Sequence, residues 1–321
     1  MMLALFAAVL AAALASVLLI ALARAYVARA EAAWPAEGRY IDADGARLHV
    51  REAGRDGAPR VLLIHGASAN LRELWGPLAP ELTRDHRVIA FDRPGYGHST
   101  RPKAGAEKLA LQAAMAARVL EATGAGPAIL VGHSLGAGVA LRVAIDRPDL
   151  VAGLVLVAPA SHPYPGNNAW WARLAIAPVL GDVFCAVLIP WLGPKLGQAG
   201  IASNFAPAMA PESYFADAGV GLLFRPAAFQ ASARDVCATK AEFAAQAPAY
   251  GAIAAPAVIV TADKDKIVSP KRHARALAEE LPMAELVIAP GAGHMPHRIR
   301  PDLVLAAIRR AGAMAAARTT G

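Results

Sequence analysis

Five short apolar runs constrain this chain more than any other feature: "RVLLIHG" at 60–66, "RVIAFDR" at 87–93, "AILVGHS" at 128–134, "LVLVAP" at 154–159 and "AVIVTAD" at 257–263. Each is continuous rather than alternating, as a parallel strand buried on both faces requires. Stretches with helical spacing separate them at 71–84, 109–123 and 136–147, and Pro148 stops the last. Such alternation predicts an α/β domain with a doubly wound, mostly parallel sheet and helices on both faces. "YIDADGARLHVREAG" alternates apolar and polar residues around Asp44-Gly45, predicting a β-hairpin that opens the domain near residue 38. A helix over 270–281, the strand "AELVIAP" and a final helix complete it, with a flexible tail at 313–321.

The alternation breaks between residues 161 and 250, where helical spacing continues without a strand run. The expected arrangement is a core of 38–160 and 251–312 with a helical cap inserted at 161–250. The cap is rich in aromatics: Trp170, Trp171, Phe184, Trp191, Phe205, Tyr214, Phe215, Phe224 and Phe229. Most of these are expected to pack the cap on the core, and the rest to line an apolar acyl pocket. Its apolar stretch at 174–192 contains Asp182, Gly181 and two prolines, which argue against a membrane span there.

The first 23 residues carry no charge, enough to cross a hydrocarbon core, so residues 1–37 read as a transmembrane anchor and linker. A cleaved signal peptide is the rival; "ARA" at 28–30 fits its cleavage site, but the apolar stretch is too long and no basic segment precedes it. Arg24 and Arg29 follow the stretch and favour a cytoplasmic catalytic domain. The net charge of +7 comes from scattered arginines without basic-aromatic blocks, which speaks against nucleic-acid binding and suits a membrane surface. Two cysteines, Cys185 and Cys237, make neither a disulfide framework nor a metal site. No metal and no organic cofactor is expected, and the oligomeric state is left open.

The chemistry centres on "LVGHSLGAG". A strand turning abruptly into a helix forces its corner residue into unfavourable backbone angles, and Gly132 and Gly136 remove the side chains that would collide there. Ser134 is thereby raised at the carboxyl end of the sheet as a candidate nucleophile, which needs a base. His294, in "APGAGHMPH" after the last strand, lies at the same end; His297 on the same loop is the competing choice. A carboxylate must orient the imidazole. "VIVTADKDKIV" offers Asp265, with Asp263 as the alternative, read as a solvated turn residue. The backbone N–H groups of Ala67, after His65-Gly66, and of Leu135 are candidate oxyanion donors. His133 is expected to point away from the site, and His65, His98 and His162 to make loop hydrogen bonds.

The combination "HGAS" at 65–68, "FDRPGYGHS" at 91–99, "GHSLG" at 132–136, "DKDKIV" at 263–268 and "GAGHMP" at 291–296 resembles the α/β-hydrolase superfamily, from about Tyr40 to Arg310. The resemblance implies an eight-stranded sheet, a Ser134–His294–Asp265 triad, an oxyanion hole at Ala67 and Leu135, and a cap over the substrate. Ala262 departs from the pattern, which usually has glycine there. Pro94, Gly95 and Gly97 have a structural role in that pattern, so Asp92 is not the expected acid. Relatives that use aspartate at the elbow, haloalkane dehalogenases and epoxide hydrolases, are disfavoured by Ser134. The expected activity is hydrolysis of a small carboxylic ester, apolar or lipid-like. C–C bond hydrolysis of vinylogous diketones and cofactor-free perhydrolysis are the alternatives, and a ligand-binding receptor or scaffold is the non-enzyme alternative.

Overall fold

The computed structural model describes residues 1–165 and 169–319; residues 166–168 of the expected cap and 320–321 of the expected tail lie outside the described residues. A long helix α1 (Met2–Ala33) precedes the hairpin β1 (Arg39–Ala43) and β2 (Ala46–Ala53). There follow β3 (Arg60–Ile64), α2 (Arg72–Leu82), β4 (Arg87–Phe91), α3 (Leu109–Ala122), β5 (Ala128–His133), α4 (Leu135–Asp146) and β6 (Val151–Val157). Helices α5 (Trp170–Ala175), α6 (Leu180–Val183), α7 (Ile189–Phe205), α8 (Tyr214–Asp217) and α9 (Pro226–Gln246) form the excursion before β7 (Ala257–Ala262). The chain ends with α10 (Ala276–Glu280), β8 (Ala284–Ala289), α11 (Pro296–Ile299) and α12 (Pro301–Thr319).

The eight strands lie in the order β1-β2-β4-β3-β5-β6-β7-β8. The contacts of β2 with β1 and β4 are antiparallel and the rest parallel. Continuous apolar runs are explained by their two destinations. Leu62, Ile64, Leu130, Leu156 and Ile259 face one core cluster with α3 and α4; Val61, Leu63, Val131, Val157 and Val260 face another with α2 and α12. Each such side chain contributes about 1.5–3 kcal/mol on burial, so both faces demand apolar residues. Gly132 of β5 pairs with Ile64 and Leu156, which brings the carboxyl ends of three central strands to one level. The segments that follow β3, β5, β7 and β8 therefore share one rim, where ligands bind in open α/β sheets.

The final helix runs through to Thr319, so residues 313–319 are helical rather than the flexible tail expected. The alanine-rich sequence there favours helix, and Arg318 reaches the Ala254 carbonyl. Two helical runs, Met2–Ala33 and Leu180–Phe205, are long and apolar enough to cross a membrane. The second is partly buried, with Cys185 and Ile189 packed with Phe224 and Phe229. Along α1 the apolar side chains from Leu3 to Leu18 are mostly exposed. Its last turns and the residue after it are fastened: Tyr26 Oη donates to Gly221 O (2.9 Å), Glu31 pairs with Arg225 (2.6 Å), and Trp34 Nε1 donates to Ala216 O (2.7 Å).

Candidate active site

Ser134 sits between β5 and α4 with φ 52° and ψ −118°, strained for a residue with a side chain. Three backbone bonds hold the corner: Ser134 N–H to Val157 O (2.9 Å), and the Ala137 and Ala160 N–H groups to Ser134 O (3.0 and 3.1 Å). A Cβ on Gly132 would lie 2.5 Å from Gly136 O, and one on Gly136 would lie 2.6 Å from His65 O and closer still to Ile64 O. Both glycines are therefore steric requirements of the corner.

Asp265 lies just past β7 with its side chain fully buried. Its Oδ1 accepts the Ile267 and Val268 N–H groups (2.8 and 2.9 Å), and its Oδ2 accepts from His294 Nδ1 (2.8 Å). The backbone N–H of His294 donates to Asn204 O (2.9 Å), tying the histidine to α7. Ser134, Asp265, Ala67 and Leu135 line one cavity of about 700 Å³. Among the described residues no hydrogen bond joins Ser134 Oγ to His294 Nε2; such bonds tighten when substrate is seated. Leu135 opens α4, so its N–H has no partner one turn back. Among the described residues the Ala67 and Leu135 N–H groups have no acceptor, and both border the cavity.

The competing residues are engaged elsewhere. Asp263 is exposed and accepts from Gly291 N–H (2.6 Å). Asp92 is buried, accepting from His49 Nδ1 (2.7 Å) and from the Leu71 and His98 N–H groups. Burial pushes its carboxyl up, but the hydrogen bond and charge of His49 outweigh this and leave it below the usual range. His133 turns away from the cavity: its Nε2 donates to His294 O (3.0 Å), and its ring lies 5.0 Å from that of His294 and 4.3 Å from that of His297. Burial drives the His133 pKa well down, with further lowering from the other two histidines, so the ring is neutral.

His297 is wholly buried and donates through Nε2 to Glu73 Oε1 (2.8 Å). Glu73, on α2, also accepts from Arg298 (3.0 Å) and from Tyr214 Oη of α8 (2.6 Å). Burial raises the Glu73 carboxyl, yet the His297 hydrogen bond and the Arg298 charge overcome it and hold it far below the carboxylate range. Burial lowers His297 despite its acidic partner, so the ring is neutral and Arg298 balances the charge. Glu73→Gln is expected to lower stability by about 3 kcal/mol, since it strands a largely buried guanidinium. Because the folded carboxyl is depressed, its contribution is complete above about pH 4.5 and is lost as pH falls through the folded value. Chemical denaturation at pH 7 and pH 3 checks both statements: the deficit of the variant should shrink at the lower pH.

The cavity walls correct one expectation. None of the nine aromatics, of which a minority is expected to line an acyl pocket, borders the cavity of Ser134; the aromatic walls there are Tyr164 and Phe243, which also lie between 161 and 250. Trp170, Trp171, Phe184, Phe224 and Phe229 line a separate apolar cavity of about 600 Å³ within the excursion. These five surround a centre of their own, whereas Phe205 and Tyr214 pack with Met295. His273 also borders the Ser134 cavity; its Nδ1 accepts the Ser161 and His162 N–H groups, and burial lowers its pKa to about 4. Sequence reading missed His273, Glu73, Arg93 and Asp235. Of these only Arg93 lay in a motif singled out, "FDRPGYGHS"; each of the others follows an arginine in a helical stretch and reads there as an ordinary polar position.

The sequence model of the alpha/beta hydrolase family matches residues 61–307. The chain belongs to the alpha/beta hydrolase family. It is 30% identical over 277 residues to 2-(acetamidomethylene)succinate hydrolase of Mesorhizobium japonicum, covering 84% of this chain and 93% of that protein. It is 37% identical over 142 residues to 2-hydroxymuconate semialdehyde hydrolase of a Pseudomonas species; that match covers 43% of this chain and 50% of the relative. The enol-lactonase of Burkholderia xenovorans superposes with a TM-score of 0.70 at 21% identity, covering 85% of this alpha/beta hydrolase and 98% of the lactonase.

Proposed function

We propose that this chain is a serine hydrolase that cleaves a carboxylic ester through an acyl-enzyme. In this reading Ser134 Oγ attacks the carbonyl, His294 takes its proton and passes it to the leaving alcohol, and water then repeats the sequence on the acyl group. Asp265 fixes the His294 tautomer and stabilises the imidazolium. The Ala67 and Leu135 N–H groups receive the oxyanion. The observation that carries the reading is the 2.8 Å Asp265–His294 hydrogen bond beside a cavity that Ser134 enters from a strained corner. The cavity is mixed in character, lined by Val236, Phe243 and Val268 together with Thr239, Ser269 and Arg272, which suits a small ester with a polar end. The reading includes residues 161–250 as the cap over this cavity, and α1 as a membrane anchor, its apolar side chains being exposed up to the turns fastened to the cap.

A second reading is C–C bond hydrolysis with the same residues, favoured by the similarity to 2-hydroxymuconate semialdehyde hydrolase. A panel of p-nitrophenyl esters of increasing chain length, run beside a vinylogous diketone, separates the two. Turnover of esters with Ser134-dependent labelling by a fluorophosphonate supports the first; turnover of the diketone alone replaces it with the second. Asp265→Asn is expected to lower kcat about 10⁴-fold with little change in KM, because the imidazole loses its counter-charge and correct tautomer. Steady-state kinetics on the best ester checks it.

A further inference from the structure

Arg93 follows β4 by two residues and is completely buried. Its guanidinium donates through Nε to His65 O (3.0 Å) and through Nη2 to Gly66 O (2.9 Å). On its other side Nη1 meets Asp235 of the cap helix α9 (2.8 Å), and the Tyr96 ring lies under it at 4.4 Å. Asp235 is itself buried and accepts further from Tyr96 Oη (2.9 Å), Arg101 (2.7 Å) and Gln112 (3.2 Å). The Arg93 backbone N–H donates to His65 Nε2 (2.9 Å), so that nitrogen carries no proton. His65 Nδ1 must then be the protonated one, and it donates to Gly66 O (2.8 Å). Burial and the Arg93 charge hold this imidazole neutral, its pKa lowered to about 3.

Gly66 O thus receives two donors, one of them cationic. In a trans peptide the carbonyl and the following N–H point in opposite directions. Pinning Gly66 O on the Arg93 side turns the Ala67 N–H the other way, towards the cavity that Ser134 lines. Charge-assisted bonds to the carbonyl also polarise the peptide and strengthen its N–H as a donor. We propose that Arg93 and His65 are positioning residues that aim and polarise the Ala67 N–H for the substrate oxyanion, with the cap's Asp235 holding Arg93 in place. The inference rests on the serine-hydrolase reading above.

The test uses the full chain, with p-nitrophenyl butyrate as substrate and an alkyl trifluoromethyl ketone as a mimic of the tetrahedral oxyanion. His65→Gln keeps an acceptor for the Arg93 N–H but loses the donor to Gly66 O; His65→Asn keeps that donor and loses the acceptor. The glutamine variant should lose about tenfold or more in kcat, with KM nearly unchanged and the ketone Ki raised by the same factor. The asparagine variant should keep most of its kcat even if its melting temperature falls as far. Arg93→Met should lose more than Arg93→Lys in both kcat and ketone affinity. Equal losses in the two His65 variants, or losses confined to KM and melting temperature, would overturn the proposal. If Arg93→Met does not fold, the His65 pair and Arg93→Lys decide the matter. Wild-type enzyme insensitive to the ketone, or Ser134→Ala retaining full turnover, would instead refute the serine-hydrolase reading itself.

Discussion

Ser134→Ala is expected to lower kcat on any hydrolysed ester by roughly 10⁶-fold while leaving substrate binding close to wild type. The nucleophile and base act as a unit, so Ser134→Ala, His294→Ala and the double variant should be about equally inactive rather than multiplicatively so. A residual acceleration of roughly 10³ over water is expected from the oxyanion donors and binding alone. Alanine also relieves no crowding: the strain at residue 134 is in the backbone, φ 52°, and persists with any Cβ. Thermal stability should therefore be little changed. Burst kinetics with a chromogenic ester, together with fluorophosphonate labelling, checks the prediction. A variant that still releases a stoichiometric burst would remove Ser134 from the chemistry.

The second large effect is on folding. Gly136→Val is expected to cost at least about 3 kcal/mol, and Gly132→Val a similar amount, because each added side chain meets main-chain atoms that cannot move aside. At Gly136 the obstruction is the carbonyl end of β3, Ile64 O and His65 O. His65 O is in turn gripped by Arg93. Relief would require sliding α4 away from the sheet, breaking the packing of Val139 and Leu141 with Ile64 and Leu130. Denaturant midpoints of full-length variants measure the loss. Gly136→Ala should suffer nearly as much, since the first carbon already makes the overlap; a near-wild-type midpoint for the alanine variant would contradict the steric account.

Much of this architecture was legible in the residues because the relevant physics is local. A strand buried on both faces cannot avoid a continuous apolar run, and β3, β5 and β7 are buried at every position. A strand-to-helix corner cannot avoid small neighbours. The loops that carry Asp265 and His294 followed from strand order, with Asp263 and His297 as rivals on the same loops, and the side chains of Asp265 and His294 meet at 2.8 Å. What escaped notice depends on long-range pairing. Asp235 matters only because α9 brings it to Arg93, 142 positions earlier. Glu73 likewise matters through His297 and Arg298, more than 220 positions away. A buried charge leaves no periodic trace in sequence, since its neighbours follow the ordinary helical pattern. The aromatics between 170 and 229 misled for the opposite reason: composition announced an apolar centre but not which cavity it surrounds.

The fastening of α1 has a mechanical consequence. A 32-residue helix is about 48 Å long, and bonds at Tyr26, Glu31 and Trp34 clamp its base to Gly221, Arg225 and Ala216. Under the proposed anchoring, these bonds at its base, rather than a free linker, would set the height and tilt of the Ser134 opening above the membrane.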